Sequence, residues 1–281
     1  MRKAIGAAAC AAGALALAGC VVAGCTVEIR TDSGEDSLGS GPGVEERVEI
    51  RVEAADGKVL VVEGDAGSID AGPGPEPGFV TVRALKRAPT EEGLSRIRVH
   101  AVTHGDEVRV GYSVEGDDDE TSVSFTIEAP ASLRARLRTG AGSIRVEGFQ
   151  GGVEVHTGAG SVETTAVQGD QEIGTSAGSV RVNAADGRVR AETSAGSIRA
   201  SGRLRGDCSL VTKAGSVEAH LPPDARLRVE GRTAAGSVRS DFSLSVEGKY
   251  AAKSLGGTLG DGSEGTLRLE SSAGSISIRK E

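Results

Sequence analysis

Four histidines, His100, His104, His156 and His220, and Cys208 are the side chains best suited to proton transfer, metal binding or nucleophilic attack. Acid-base and metal chemistry require several such groups to converge on one point, and these are scattered. His100 and His104 lie around a turn with Asp106 close by, a grouping that any hairpin could produce. His156 falls between Val155 and Thr157, which alternate inward, so its side chain is expected to face solvent. Cys208 shares its place in a repeat with Val153 and Val189, and an apolar site disfavours the reactive thiolate. Asp117-Asp118-Asp119-Glu120 offers oxygens to Ca²⁺, but without the liganding spacing of an EF-hand loop or a calcium-binding nonapeptide roll it reads as a solvated turn. Serine recurs within Ala-Gly-Ser, yet no His or acid recurs with it at a matching spacing. The glycines lack the strand-to-helix unit of a phosphate loop. The expectation is no catalytic, cofactor-binding or metal-binding residue.

The N-terminus carries a different chemistry. Arg2 and Lys3 precede a small-residue apolar run, Ala4 to Ala18, too short and Ala-rich for a membrane span. The run closes on Leu17-Ala18-Gly19-Cys20, which resembles a bacterial lipoprotein signal whose Cys becomes the acylated first residue. Cys20 is the expected lipidation site. Cys25, in Val22-Ala23-Gly24-Cys25, is the alternative. Two or more acyl chains hold a protein on a bilayer stably. Cleavage before Cys20 would change the formal charge from -8 to -10. Thr31 to Gly43 is polar and Gly-rich, as a flexible tether requires.

Composition narrows the remainder. The 281 residues include 42 Gly, no Trp, two Tyr and four Phe. So few aromatics exclude an aromatic-centred core and argue against a base-stacking or sugar-stacking platform. The net charge of -8 argues against nucleic acid, whose phosphates need a basic face.

An internal repeat must position all of these residues. Ala-Gly-Ser followed by Val or Ile begins at Ala66, Ala141, Ala159, Ala177, Ala195, Ala214, Ala235 and Ala273; from Ala141 the steps are 18, 18, 18, 19, 21 and 38. The last step spans two repeats, with a degenerate copy expected at Ser254-Leu255-Gly256-Gly257-Thr258. Two residues before each Ala stands a hydroxyl: Thr139, Thr157, Thr175, Thr193, Thr212, Thr233 and Ser271. Three after it stands Ile144, Val162, Val180, Ile198, Val217, Val238 or Ile276. Apolar residues at steps of two on either side identify strands with one buried face. The break in parity across Ala-Gly-Ser predicts a glycine corner, and a second is expected at Gly151, Gly169 and Gly187. Each rung then has two short strands and two Gly turns, and must stack on its neighbours to bury its apolar face. A left-handed hexapeptide helix also has about 18 residues per coil, but the hexad fails at Glu147, Thr165, Asn183 and Ser201. Outward residues Arg145, Glu163, Arg181, Arg199, Glu218 and Arg239 should stack on adjacent rungs and keep the face soluble.

Upstream, Val48 to Val52, Lys58 to Val62, Phe79 to Arg83, Arg96 to His100, Val108 to Tyr112 and Ser122 to Ile127 alternate at a period of two between Gly, Asp or Pro turns. The expected fold is all-β: a single-domain β-solenoid (β-helix) with rungs of about 18 residues and no helix after the signal. Its expected parts are a signal peptide 1–19, a lipidated Cys and tether 20–43, N-terminal rungs and cap 44–132, and regular repeats 133–281.

Phe125-Thr-Ile-Glu-Ala-Pro130, followed by Leu137-Arg-Thr-Gly-Ala-Gly-Ser-Ile-Arg-Val-Glu-Gly148, resembles the bacterial "putative adhesin" family of β-solenoid domains. The likeness spans roughly residues 45–280. That family shows a strand ending in Pro and then recurring Thr-x-Ser-Gly-Asp/Ser-Ile-x-Val units; this chain uses Ala before the Gly and Ser after it. The resemblance implies a cell-envelope or surface location and carries over no catalytic residue. The functional expectation is a lipid-anchored, non-enzymatic envelope protein exported to the cell or outer membrane. Its surface would act as an adhesin-like or scaffolding face toward an envelope protein or polysaccharide partner. The alternatives are a polysaccharide-acting β-helix enzyme, an envelope-stress sensor, or a filament resembling the bactofilins, the last disfavoured by the export signal and the charged end Arg279-Lys280-Glu281.

Overall fold

The computed structural model describes residues 15–17, 20–22, 30–32 and 43–281, apart from 56, 117–119 and 249–251. It is nearly all β, and its strands fall in two compact units, Met1–Ala141 and Gly142–Glu281.

The first unit contains β1 (Leu15–Leu17), β2 (Cys20–Val22), β3 (Arg30–Asp32), β4 (Val44–Glu53), β5 (Val59–Ala66), β6 (Ile69–Pro73), β7 (Phe79–Ala88), α1 (Glu91–Arg96), β8 (Ile97–His104), β9 (Glu107–Val114), β10 (Ser122–Ala129) and β11 (Arg134–Ala141). Each upstream run of alternating residues lies in a strand, apart from its first residue at Lys58 and at Arg96, the latter being the end of α1. Only part of the pairing is rung-like: β5 pairs parallel with β9 and β11, and β6 with β10. By contrast β4–β7, β7–β10 and β8–β9 are antiparallel. Only β8 and β9 are joined by a short turn, which favours that sense; β4, β7 and β10 pair antiparallel across longer connections, so this unit is not a run of regular rungs. Within the stretch expected to be tether, β3 pairs antiparallel with β4.

The expectation of no helix is corrected by α1. Its Thr90 cap accepts a hydrogen bond from Gly93 N at 3.1 Å, and Glu91 and Glu92 occupy the first turn. Six residues are too few to show a helical period, whereas cap chemistry suffices for one turn. Alternation also misleads at Lys86, which takes an inward position on β7, is 1% exposed, and places Nζ 2.8 Å from Glu46 Oε2 on β4. The rest of that face is apolar, from Val48, Ile50 and Val52 to Val80, Val82 and Phe125.

The second unit contains β12 (Ile144–Glu147), β13 (Val153–Ala159), β14 (Val162–Thr165), β15 (Gln171–Ala177), β16 (Val180–Gly187), β17 (Val189–Ala195), β18 (Ile198–Leu204), β19 (Cys208–Ala214), β20 (Val217–Leu221), β21 (Arg228–Ala235), β22 (Val238–Ser240), β23 (Ser245–Glu247), β24 (Lys253–Thr258), β25 (Thr266–Ala273) and β26 (Ile276–Lys280). From β12 to β22 successive strands alternate between two sheets and pair in parallel with like strands, so that like residues meet. Val155 pairs with Ile173 and Thr157 with Thr175 in one sheet, and Val162 with Val180 in the other. The predicted inward columns are buried, including Val155, Val162, Val180, Ile198, Leu210 and Ile276.

At the corner, Gly178 has φ +150°, and a Cβ there would lie 2.0 Å from the Gly160 carbonyl oxygen. Close stacking of backbones, as much as φ, therefore demands glycine. The hydroxyl column closes the same corner. Thr157, Thr175, Thr193 and Thr212 each donate to the glycine carbonyl of a neighbouring rung, at 2.8–3.0 Å. At the second corner the left-handed residue of the first rung is Gly152, not Gly151.

The stacking order departs from the order in sequence. One sheet runs β13-β15-β17-β19-β25-β21-β24-β23 and the other β12-β14-β16-β18-β20-β26-β22. The last repeat, β25 and β26, is thus inserted between the Ala214 and Ala235 copies. The segment expected as a degenerate copy is instead β24, which pairs antiparallel with β21 and with β23. Reversal of the chain there makes a cap rather than another rung.

Candidate functional site

The outward face of the second sheet presents the groups that can bind something, and register determines how they meet. Along one row run Arg145, Glu163, Arg181, Arg199, Glu218, Ser277 and Arg239, each directly paired with the next. Stacking in sequence order would have set Arg239 beside Glu218. Insertion of β26 puts Ser277 between them instead.

Glu218 is fully occupied. Arg199 Nη2 lies 2.6 Å from its Oε2, while Arg279 Nε and His220 Nε2 lie 2.9 and 3.0 Å from its Oε1. Burial alone would raise its carboxyl pKa, but the hydrogen bond and charge of Arg199, with His220 close by, outweigh that and hold it below the usual carboxylate range. On the far side of Ser277 the Arg239 side chain is exposed. Around these residues lies a solvent-open depression of about 260 Å³, with Glu218, Ser237, Arg239, Ser275, Ser277 and Arg279 in its wall beside the apolar Val217 and Ile276. The corner serines form their own ladder: Ser275 N donates to Ser216 Oγ and Ser237 N to Ser275 Oγ, with the Ser237 and Ser275 hydroxyls 2.9 Å apart. Two guanidinium groups, one carboxylate already satisfied and three hydroxyls make a site suited to an anionic, hydroxyl-bearing ligand.

The residues singled out in the sequence lie elsewhere, His220 excepted. His100 and His104 both stand on β8, on one side of the turn at Gly105-Asp106 rather than across it. His100 lies over Gly111, where a Cβ would come within 2.9 Å of its Nε2, and burial lowers its pKa despite the opposing charge of Glu63. His156 similarly covers Gly174 and is 3.9 Å from Glu154. Cys208 is buried and its thiol pKa is pushed up, chiefly by desolvation. Asp117 to Asp119 and Cys25 lie outside the described residues, and Cys20 is placed only as a backbone position in β2. Among the described residues no three His, Cys, Asp or Glu side chains are grouped to hold a metal ion. No described helix is long and apolar enough to cross a membrane.

The arrangement defines a β-solenoid with two strands per rung and a polar, serine- and arginine-bearing outer face. Residues 112–279, well over half of the chain, match the model of the Toastrack DUF4097 family, and the chain belongs to that family. No curated protein matches. Among solved structures, the chain is similar to a "putative cell adhesion protein" from Clostridium sporogenes, with 12% identity, a TM-score of 0.39, and 83% of this chain and 99% of that chain covered. It is also similar to a "putative adhesin" from Bacteroides fragilis, with 12% identity, a TM-score of 0.35, and coverage of 84% and 97%. A "putative adhesin" from Parabacteroides distasonis gives 8%, 0.36, and the same coverage.

Proposed function

We propose that this is a non-enzymatic, lipid-anchored protein of the bacterial envelope that binds a partner through the outer face of its solenoid. The in-register row from Arg145 to Arg239 carries this reading. Parallel stacking repeats similar groups at about 4.8 Å, an arrangement that engages an extended partner at many weak points rather than enclosing a small substrate. Anchoring rests on the Cys20 signal, and the exposed ion pairs along the row contribute only about 0–1 kcal/mol each to stability, so their identity is free to serve binding.

Mass spectrometry of the membrane fraction tests the anchor: the mature chain should begin at an acylated Cys20, and an unmodified N-terminus elsewhere overturns that part. The binding reading is tested by incubating the full chain with envelope polysaccharides and resolving the products. Retention without cleavage is expected, while release of shorter saccharides would establish an enzyme instead.

A further inference from the structure

We infer that the depression beside Ser277 is a seat for one acidic sugar residue, its carboxylate held by Arg239 and its ring hydroxyls by Ser237, Ser275 and Ser277. This deepens the reading of the outer face as a binding surface and rests on it. The charge argument comes first. Arg199 and Arg279 already satisfy the two oxygens of Glu218, so among the described residues the guanidinium of Arg239 is the local charge left without an ionic partner. A guanidinium fork matches a carboxylate through two parallel hydrogen bonds.

Hydroxyl chemistry then narrows the ligand. The serine N–H groups at this corner are already used within the ladder. The Ser237 and Ser275 hydroxyls bond to each other, and Ser275 Oγ also accepts from Ser237 N, so that pair keeps one hydroxyl hydrogen and part of its lone pairs for a ligand, beside the Ser277 hydroxyl; groups that both donate and accept complement a polyol. Size agrees: the depression is open to solvent, and its volume of about 260 Å³, below the roughly 300–1,000 Å³ of sites for drug-sized ligands, leaves room for a single ring. Without an aromatic platform the seat should be weak alone, and tight binding to a polymer would come from repeated engagement by anchored copies.

The vacancy follows from the fold. On neighbouring rungs this row carries long charged side chains; here the inserted β26 supplies a serine. Chemical-shift titration of the isotopically labelled full chain with D-glucuronate, glucose and inorganic phosphate tests the assignment. Glucuronate should give saturable shifts at Ser237, Arg239, Ser275 and Ser277, with glucose and phosphate at least tenfold weaker. Arg239→Gln should weaken glucuronate tenfold or more, and Ser277→Glu, which fills the gap and neutralises Arg239, should abolish it; Arg145→Gln should change nothing. No shift with glucuronate, retained affinity in both site variants, or equal binding of glucose or phosphate would overturn the proposal. Because the measurement is made in solution, its failure leaves the anchoring claim intact, and loss of the anchor leaves this site intact.

Discussion

Thr193 is fully buried and gives its hydroxyl hydrogen to the Gly178 carbonyl at 2.9 Å. Valine has nearly the same shape but no donor, so Thr193→Val should cost about 1–3 kcal/mol by stranding that carbonyl; Thr193→Ser should recover most of it, as the urea midpoint followed by circular dichroism would show. His100 makes a pH prediction. Its folded pKa is depressed, chiefly by burial, so below its ordinary value of about 6.5 the unfolded chain takes up the proton first. Its contribution to stability is therefore present above that pH and lost as pH falls through the folded value. The urea midpoint should drop between pH 7.5 and 5.5, and by less in His100→Gln. A second buried polar pair, Thr164 Oγ1 donating to Gln171 Oε1 at 2.8 Å, sits in columns whose other members include Val153, Val182, Cys208, Leu267 and Ile278. Each residue alone looks like an exception in sequence; only their meeting inside the core explains both.

For the elements, the corners were legible because their requirement is local. Each Gly-Ser pair must let one backbone pass close to the next. Gly178→Ala would place a methyl 2.0 Å from a carbonyl oxygen, and the cost should be on the order of 4 kcal/mol or more, among the largest for one substitution; loss of the β signal in circular dichroism is the expected result. The buried alternation of β13 to β20 was legible for the same reason. Lys86 and α1 were not. Lys86 occupies an inward position by virtue of Glu46, forty residues away in sequence, and α1 is shorter than two helical turns. Arg239 belongs with these: its residue type was readable, but its neighbour was not.

At the scale of the molecule, the place of the C-terminal repeat matters most. If rungs stacked in sequence order, removing residues 266–281 would trim one end. Here β25 lies between β19 and β21, and β26 between β20 and β22, so the truncation should collapse the second unit, seen as rapid cleavage in limited proteolysis and loss of β structure. The sequence by itself determined the two-stranded rung, its inward columns and the glycine corner at Ala-Gly-Ser, and it named Cys20 as a candidate anchor, because each depends on residues a few positions apart or on a period repeated many times. Tertiary structure alone decided which rung lies beside which. Copies of one motif offer nearly identical edges, so their order is chosen by the turns and cap between them, and that choice put Ser277 rather than Glu218 next to Arg239.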